Sequence, residues 1–339
     1  MELWLEARPN HLSEVSALCD LAEQARIPGI AFNEMKSPPD LAACVALGKT
    51  THTRIVTSLL IAFPRSPTVA AYAAWHLQDM SGGRFELGLG TQVKGHIERR
   101  FGMQWYPPKP RMKEYISVVR GLWQRWQTGE PINFEGSFYT VNLMTPDFDP
   151  GPLSVEPPRL HTGGLNEGMC ELAGELSDGL IIAEPVTKRY TDEVILPALD
   201  RGLAASKRSR SDVVITGGAY VGVGETEDEL REIREVIRYR VAFYSSTRTY
   251  RRPLEMEGWG EISDVLHDLT ISGQWDRLAE HITDEMLDTF AVIGRYDSIS
   301  EQIAERYGHF ADRVYVGPLF SKSLTPTNLR LLSTSIERI

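Results

Sequence analysis

SGGRFELGLGTQVKGHIERRFG, Ser81 to Gly102, is the stretch on which the fold turns. Read quickly, LGLGTQVKG is a glycine-rich turn behind a strand, the place where dinucleotide-binding sheets hold a pyrophosphate. That fingerprint asks for glycine at its first, third and sixth positions and for an acidic residue about 20 residues further on. Gly88 and Gly90 fit, but the sixth position is Val93, and the region downstream is the proline-rich WYPPKPR. The dinucleotide reading fails. What remains is an apolar strand over residues 84–90 that runs straight into Thr91, Gln92, Val93 and Lys94.

Outward from this strand the same unit recurs. Short apolar runs at residues 2–6, 29–33, 54–62, 84–90, 159–163, 179–184, 213–223 and 313–319 alternate with helical patterns. Eight strands, each followed by a helix, predict an α/β fold, a (β/α)8 TIM barrel. The helices carry their own punctuation. Ser66-Pro67 is an N-cap with a first-turn proline, and Met112, Tyr115, Val119, Leu122 and Trp126 form an apolar stripe at steps of three and four. Thr226-x-x-Glu229 and Ser298-x-x-Glu301 have the spacing of capping boxes. Two connections exceed a plain repeat and predict insertions after strands four and seven. One, residues 128–158, holds the alternating run INFEGSFYTV, and the other spans about 90 residues with SSTRTYRRPLEMEGWGE inside it. With no internal repeat and no low-complexity segment, the expectation is a single domain over residues 1–339.

Composition narrows the function. The chain has 339 residues, 42% of them hydrophobic, enough to bury a large core, and a net charge of −10 that argues against nucleic acid as a partner. Cys19, Cys44 and Cys170 lack metal-ligand spacing, and Cys19 and Cys170 fall in helical segments as buried, reduced thiols. No signal peptide and no apolar run of membrane length is present, so a cytoplasmic protein is expected, a homodimer acting on a small-molecule substrate and not on a membrane.

Barrel enzymes work where their strands end. Those ends carry Arg8, then Asn33 to Lys36, Phe63 to Arg65, Thr91 to Lys94, Thr162 to Asn166, Glu184 to Val186, and Pro318 to Phe320. Only Glu34, His161 and Glu184 could ligate a metal there, on non-adjacent strands, so no metal is expected. No G-x-S-x-G elbow supports a serine hydrolase. HTGGLNEGM reads as a strand, a Gly163-Gly164 turn and a helix beginning near Asn166. Such a turn either leaves backbone N–H groups free for a phosphate or merely needs glycine for positive φ.

AFPRSPTVAAYAAWHLQDMSGGRFELGLGTQVKGHIERRFGMQW, RMKEYISVVRGLW, ELAGELSDGLI and FAVIGRYDSISEQIAERYGHFADRV together resemble the luciferase-like barrel superfamily. Within it the chain is most similar to the deazaflavin (coenzyme F-420)-dependent oxidoreductases. The resemblance implies that Gly90, Thr91 and Gln92 line a flavin-type ring or its ribityl chain, without any dinucleotide. It implies that Gly163, Gly164, Leu165 and Asn166 hold the cofactor phosphate, and that a cis peptide at Ser58-Leu59 bulges against the ring.

The chain also departs from that pattern. Met35 and Ser37 stand where relatives commonly carry histidine, and Val93 where one subgroup of dehydrogenases places a catalytic glutamate. Glu34 is the catalytic acid/base expected at the end of the second strand, with the substrate or water as other proton sources, while Lys36, Arg65, Lys94 and His96 would supply positive charge for the substrate or the cofactor tail. The function implied is hydride transfer between F-420 and an organic small molecule. The alternatives are a reduced-FMN monooxygenase on the same barrel and a cofactor-binding barrel that has lost catalysis.

Overall fold

The computed structural model describes residues 1–217 and 220–338. Its strands are β1 (Glu2–Ala7), β2 (Gly29–Phe32), β3 (Arg54–Thr57), β4 (Leu60–Ile61), β5 (Phe85–Gly90), β6 (Phe134–Glu135), β7 (Thr140–Val141), β8 (Arg159–Gly164), β9 (Gly179–Ile182), β10 (Val214–Gly217), β11 (Tyr220–Gly224), β12 (Ala291–Arg295) and β13 (Arg313–Val316). The sheet runs β3-β2-β1-β13-β10-β9-β8-β5, all parallel, and a β3–β5 pairing closes it. Eight strands thus close a parallel barrel, and β4 extends the third of them alongside β5. The strand read over residues 213–223 divides into β10 and β11, and its residues 218 and 219 lie outside the described residues.

Alternation along each strand decides what faces where. Leu3, Leu5 and Ala7 join the large apolar core that includes the surrounding helices, whereas Trp4 packs with Ala31, Val56 and Ile181 inside the barrel. On β5 the outward set is Phe85, Leu87 and Leu89, and the alternate positions are Glu86, Gly88 and Gly90. The barrel therefore has a filled lower half. Glu86 accepts two hydrogen bonds from Arg313, at 2.6 and 2.9 Å, and sits 2.8 Å from His161 Nε2. The Arg313 guanidinium in turn lies 4.0 Å from the Trp4 ring centroid. Burial works against the Glu86 charge, but His161 and Arg313 hold its carboxyl well below the usual carboxylate range.

The helices obey most of their sequence signals. Ser66 Oγ accepts from the Val69 N–H at the start of Pro67–Ser81, and the stripe from Met112 to Trp126 is buried along Pro108–Thr128. Thr226 caps Glu227–Ser245 in the same way, yet Ser298 makes no cap at Ile299–Tyr307, because its backbone is not extended as a capping residue requires. Cys19 and Cys170 are buried and Cys44 is exposed. INFEGSFYTV forms the two-residue β6–β7 hairpin. Between β11 and β13, helices Glu227–Ser245, Gly260–Ile271 and Asp284–Phe290 gather a second apolar cluster around Ile237, Leu266, Leu287 and Phe290. No helix among the described residues is long and apolar enough to cross a membrane.

The buried ion pair predicts a measurable cost. Arg313→Met leaves Glu86 without its two-pronged partner and should lower stability by about 3–5 kcal/mol in urea denaturation at neutral pH. Because the folded pKa of Glu86 is depressed, its contribution in the unaltered protein is present above the ordinary glutamate value of 4.5 and lost as pH falls through the folded value. The difference between the two proteins should therefore shrink in acid.

Candidate active site

The C-terminal ends of the barrel strands enclose a cavity of about 240 Å³. Glu34, Ser58, Leu59, Gly90, Thr91, Gln92, Gly163, Gly164, Leu165 and Asn166 all line it. The Ser58-Leu59 peptide is cis, as is Glu184-Pro185. Leu59 lies between β5 and β8, in the space their glycines leave. A Cβ on Gly90 would stand 3.0 Å from Leu59 Cδ1, and one on Gly163 would collide with the same methyl. A Cβ on Gly88 would strike the carbonyl of Thr57, whose hydroxyl also bridges the Gly88 N–H and C=O at 2.9 Å each.

The Gly163-Gly164 turn does not have the positive φ that one of its two readings required. Neither Gly163 nor Gly164 has positive φ, so no backbone conformation demands glycine here. Packing does. A Cβ on Gly164 would stand 3.0 Å from both Cys170 Sγ and Leu180 Cδ1. Asn166 is the N-cap of Glu167–Leu176, its side chain makes no capping bond, and the residue lines the cavity. Gln92, by contrast, does hold positive φ at 57° on the rim, with its side-chain oxygen accepting from the Val93 N–H at 2.9 Å.

Of the charged residues read from the sequence, Glu34 lines the cavity and is already paired there. Arg65 grips both oxygens of Glu34 at 3.0 Å each, and the Ile61 N–H donates to the same carboxylate at 2.8 Å. Glu34 is therefore a clamp that holds the end of β4 to that of β2, and Arg65 is spent on it. Neither Arg65 nor Lys36, Lys94 or His96 lines the cavity. Lys36 is exposed, and Lys94 lies 3.9 Å from Glu98 on the surface. Partial burial, with Arg100 and Arg99 beside it, holds the His96 imidazole below its usual value, so at neutral pH it carries no charge for an anionic tail.

The carboxyl that the sequence reading passed over is Glu184, weighed there only as a metal ligand. It lines the cavity beside Glu6 and Arg8. Arg8 Nη2 donates to Glu6 at 2.9 Å and lies 3.6 Å from Glu184, while Asn33 Nδ2 donates to Glu6 at 2.9 Å. Arg8 Nε and Nη1 are buried with no partner among the described residues, and the guanidinium lies 5.4 Å from the Phe320 ring centroid. Burial pushes the Glu184 carboxyl up; Arg8 draws it down and Glu6 raises it again, leaving it at about 7. Arg8 stays charged, since Glu6 and Glu184 outweigh its burial. Tyr244 and Tyr250, carried in by the insertion after β11, complete this wall. The signal that could have found Glu184 was its position at the end of the apolar run GLIIAE; its partners come from β1 and the loop behind it, and no spacing links them.

A raised carboxyl pKa means that Glu184 holds its proton in mild acid and ionises as pH rises past about 7. Infrared difference spectra taken across the neutral range should show a protonated-carboxyl band that disappears on that titration. Glu184→Gln should abolish the band, and Glu34→Gln should leave it in place.

Comparison with known proteins fits this geometry. A family model described as luciferase-like monooxygenase matches residues 2–313. An uncharacterized protein of Mycobacterium tuberculosis is 39% identical over 312 residues, covering 92% of this chain and 91% of its own. A 5,10-methylenetetrahydromethanopterin reductase of Archaeoglobus fulgidus is 30% identical, covering 71% and 69%. The solved coenzyme F-420-dependent tetrahydromethanopterin reductase of Methanopyrus kandleri shares the fold, with a TM-score of 0.79, 16% identity, and coverage of 99% and 98%. With its closed eight-stranded barrel and a family match over nearly its whole length, the chain belongs to the luciferase-like monooxygenase family.

Proposed function

We propose that the protein is an oxidoreductase that uses coenzyme F-420 to transfer hydride to or from an organic small molecule, with Glu184 exchanging the accompanying proton. The observation that carries this reading is the pairing of two features in one cavity: a leucine platform seated on glycines, and a buried carboxyl poised near neutrality. The cavity is smaller than the roughly 300–1,000 Å³ typical of small-molecule sites, so it suits a reacting ring with its tail along the rim. The relatives named for F-420 and for methylenetetrahydromethanopterin reduction support the choice of deazaflavin.

The residues present fit such a group. Leu59 offers an apolar face to a ring, and Gly90 and Gly163 keep the adjoining wall free of side chains. Thr91 and Gln92 would meet the chain beyond the ring, and Gly164, Leu165 and Asn166, at a helix start, would meet a phosphate. A deazaflavin bound there would supply the hydride chemistry. Glu184 would give a proton to the substrate heteroatom in the reductive direction and take it back in the other. Arg8, with two unpartnered N–H groups, would orient a substrate oxygen or nitrogen beside it, and Tyr244, Tyr250 and Phe320 would exclude water.

Titration with F-420 should quench its fluorescence at micromolar concentration, and FMN should not compete. Tight FMN binding without any F-420 response defeats the assignment. The family's own description favours one second reading, a monooxygenase that takes reduced FMN and consumes oxygen, which oxygen-electrode assays with each reduced cofactor separate. Glu184→Gln should lower turnover about 10²–10⁴-fold with little change in cofactor affinity. In the reductive direction the unaltered enzyme should slow as pH rises past about 7, as Glu184 loses the proton it donates, and the variant should lack that step. Glu34→Gln should retain most activity; a loss as large as that of Glu184→Gln would return the acid/base role to Glu34.

A further inference from the structure

Glu6 and Glu184 share a single guanidinium, and as two glutamates they do not differ in which should give up its charge. Both line the cavity, and both side chains are nearly closed off, Glu6 at 11% exposure and Glu184 at 15%. Exposure therefore does not separate them. Hydrogen bonding does. Glu6 Oε1 accepts from Arg8 Nη2 and from Asn33 Nδ2, each at 2.9 Å. The same Arg8 nitrogen stands 3.6 Å from Glu184, too far for a hydrogen bond, and no other donor among the described residues replaces it. Asn33 owes its place to strand pairing. β1 and β2 run with Glu6 beside Ala31 and Ala7 beside Phe32, and the Asn33 N–H extends that ladder by donating to the carbonyl of Ala7 at 3.0 Å. Its side-chain amide does not titrate, and toward a carboxylate, which only accepts, it can present only its NH2 group.

We propose that Asn33 is a positioning residue that places the proton of this pair on Glu184: its amide holds Glu6 as the accepting carboxylate and leaves Glu184 as the acid. The other groups around the pair do not do this. Tyr220 on β11, Tyr244 and Arg240 on Glu227–Ser245, and Tyr307 on Ile299–Tyr307 lie within reach of the Glu184 charge, and Tyr250 and the Arg65-bound Glu34 line the same cavity. Burial raises the four phenols, so they carry no charge near neutrality. Arg240 favours an ionised Glu184, so it works against the outcome that Asn33 imposes. The consequence is a fixed polarity. Two carboxyls that share one proton on equal terms present a mixture of two states to whatever enters the cavity. With Asn33 in place, the Glu184 wall donates and the Glu6 wall accepts. That polarity governs turnover only if Glu184 exchanges the proton as proposed above; where the proton resides requires no cofactor.

Infrared difference spectra of the protein without cofactor test this. With Asn33 present, Glu184→Gln should remove the protonated-carboxyl band. With Asn33→Leu, an apolar side chain of nearly the same shape, the band should survive Glu184→Gln, because the proton moves to Glu6. Asn33→Leu by itself should titrate about one pH unit above the unaltered protein, since the doubly ionised pair has lost a charge-assisted hydrogen bond. In a Glu6→Gln background the same Asn33→Leu change should leave the Glu184 midpoint where it was, because Asn33 acts through Glu6. A general loosening of the cavity would move it in both backgrounds. Circular dichroism reports whether each variant folds. Asn33→Ser, small enough to be accommodated and too short to reach Glu6, should give the same pattern if Asn33→Leu does not fold. Loss of the band in Asn33→Leu/Glu184→Gln, or an Asn33→Leu shift that persists without the Glu6 carboxyl, overturns the assignment. A failure of F-420 to bind would leave these spectra unchanged, so the proton assignment and the cofactor reading fail separately.

Discussion

Leu59 resting on Gly88, Gly90 and Gly163 is the contact around which the upper barrel is arranged. A (β/α)8 barrel ordinarily fills its interior with branched side chains, layer upon layer. Here β5 and β8 contribute no side chain at those inward positions, and one leucine from the turn after β3 occupies the space of three. Leu59, Gly90 and Gly163 together line the cavity at the barrel top. Any Cβ restored at Gly88 or Gly163 meets backbone or the Leu59 methyl, so the opening and the platform stand or fall together.

Below that platform the interior is filled and charged in matched pairs; above it the charges are not fully matched. Glu86 and Arg313 satisfy each other at the base and are closed off by Trp4. Glu6, Arg8 and Glu184 near the top place two carboxylates against one guanidinium, with two of its N–H groups left over. Two buried carboxylates cannot both ionise cheaply beside a single cation, which is why Glu184 is the one driven toward its neutral form. The base network matches its charges, and the surplus carboxyl above it is held near neutrality by burial.

The insertion after β11 belongs to the site as much as to the fold. Its own apolar cluster around Ile237 and Phe290 lets helix Glu227–Ser245 stand without leaning on the main core, and Tyr244 and Tyr250 reach the cavity from it. The β6–β7 hairpin is fastened outside, where Arg111 ties Tyr139 to the carbonyl of Phe63 at the barrel rim.

The sequence alone determined the eight-stranded barrel, because strand and helix periods are local properties and eight alternations leave one architecture. It also placed Gly90, Thr91, Gln92 and Gly163 to Asn166 at strand ends, which are visible in a linear pattern, whereas a cofactor at those ends was implied only by the resemblance to a family. Charge was another matter. Glu34 and Arg65 looked like reactive groups at two separate strand ends, and only the fold brings Arg65 back across 31 residues to neutralise Glu34. Glu184 looked like any residue after an apolar run, and only the closed barrel, which turns the ends of β9 and β1 into one cavity, buries it against Glu6 and Arg8. The reactivity of a carboxyl depends on what stands within a few ångströms of it and on how much water remains, and both are decided by pairings between strands that are distant in sequence.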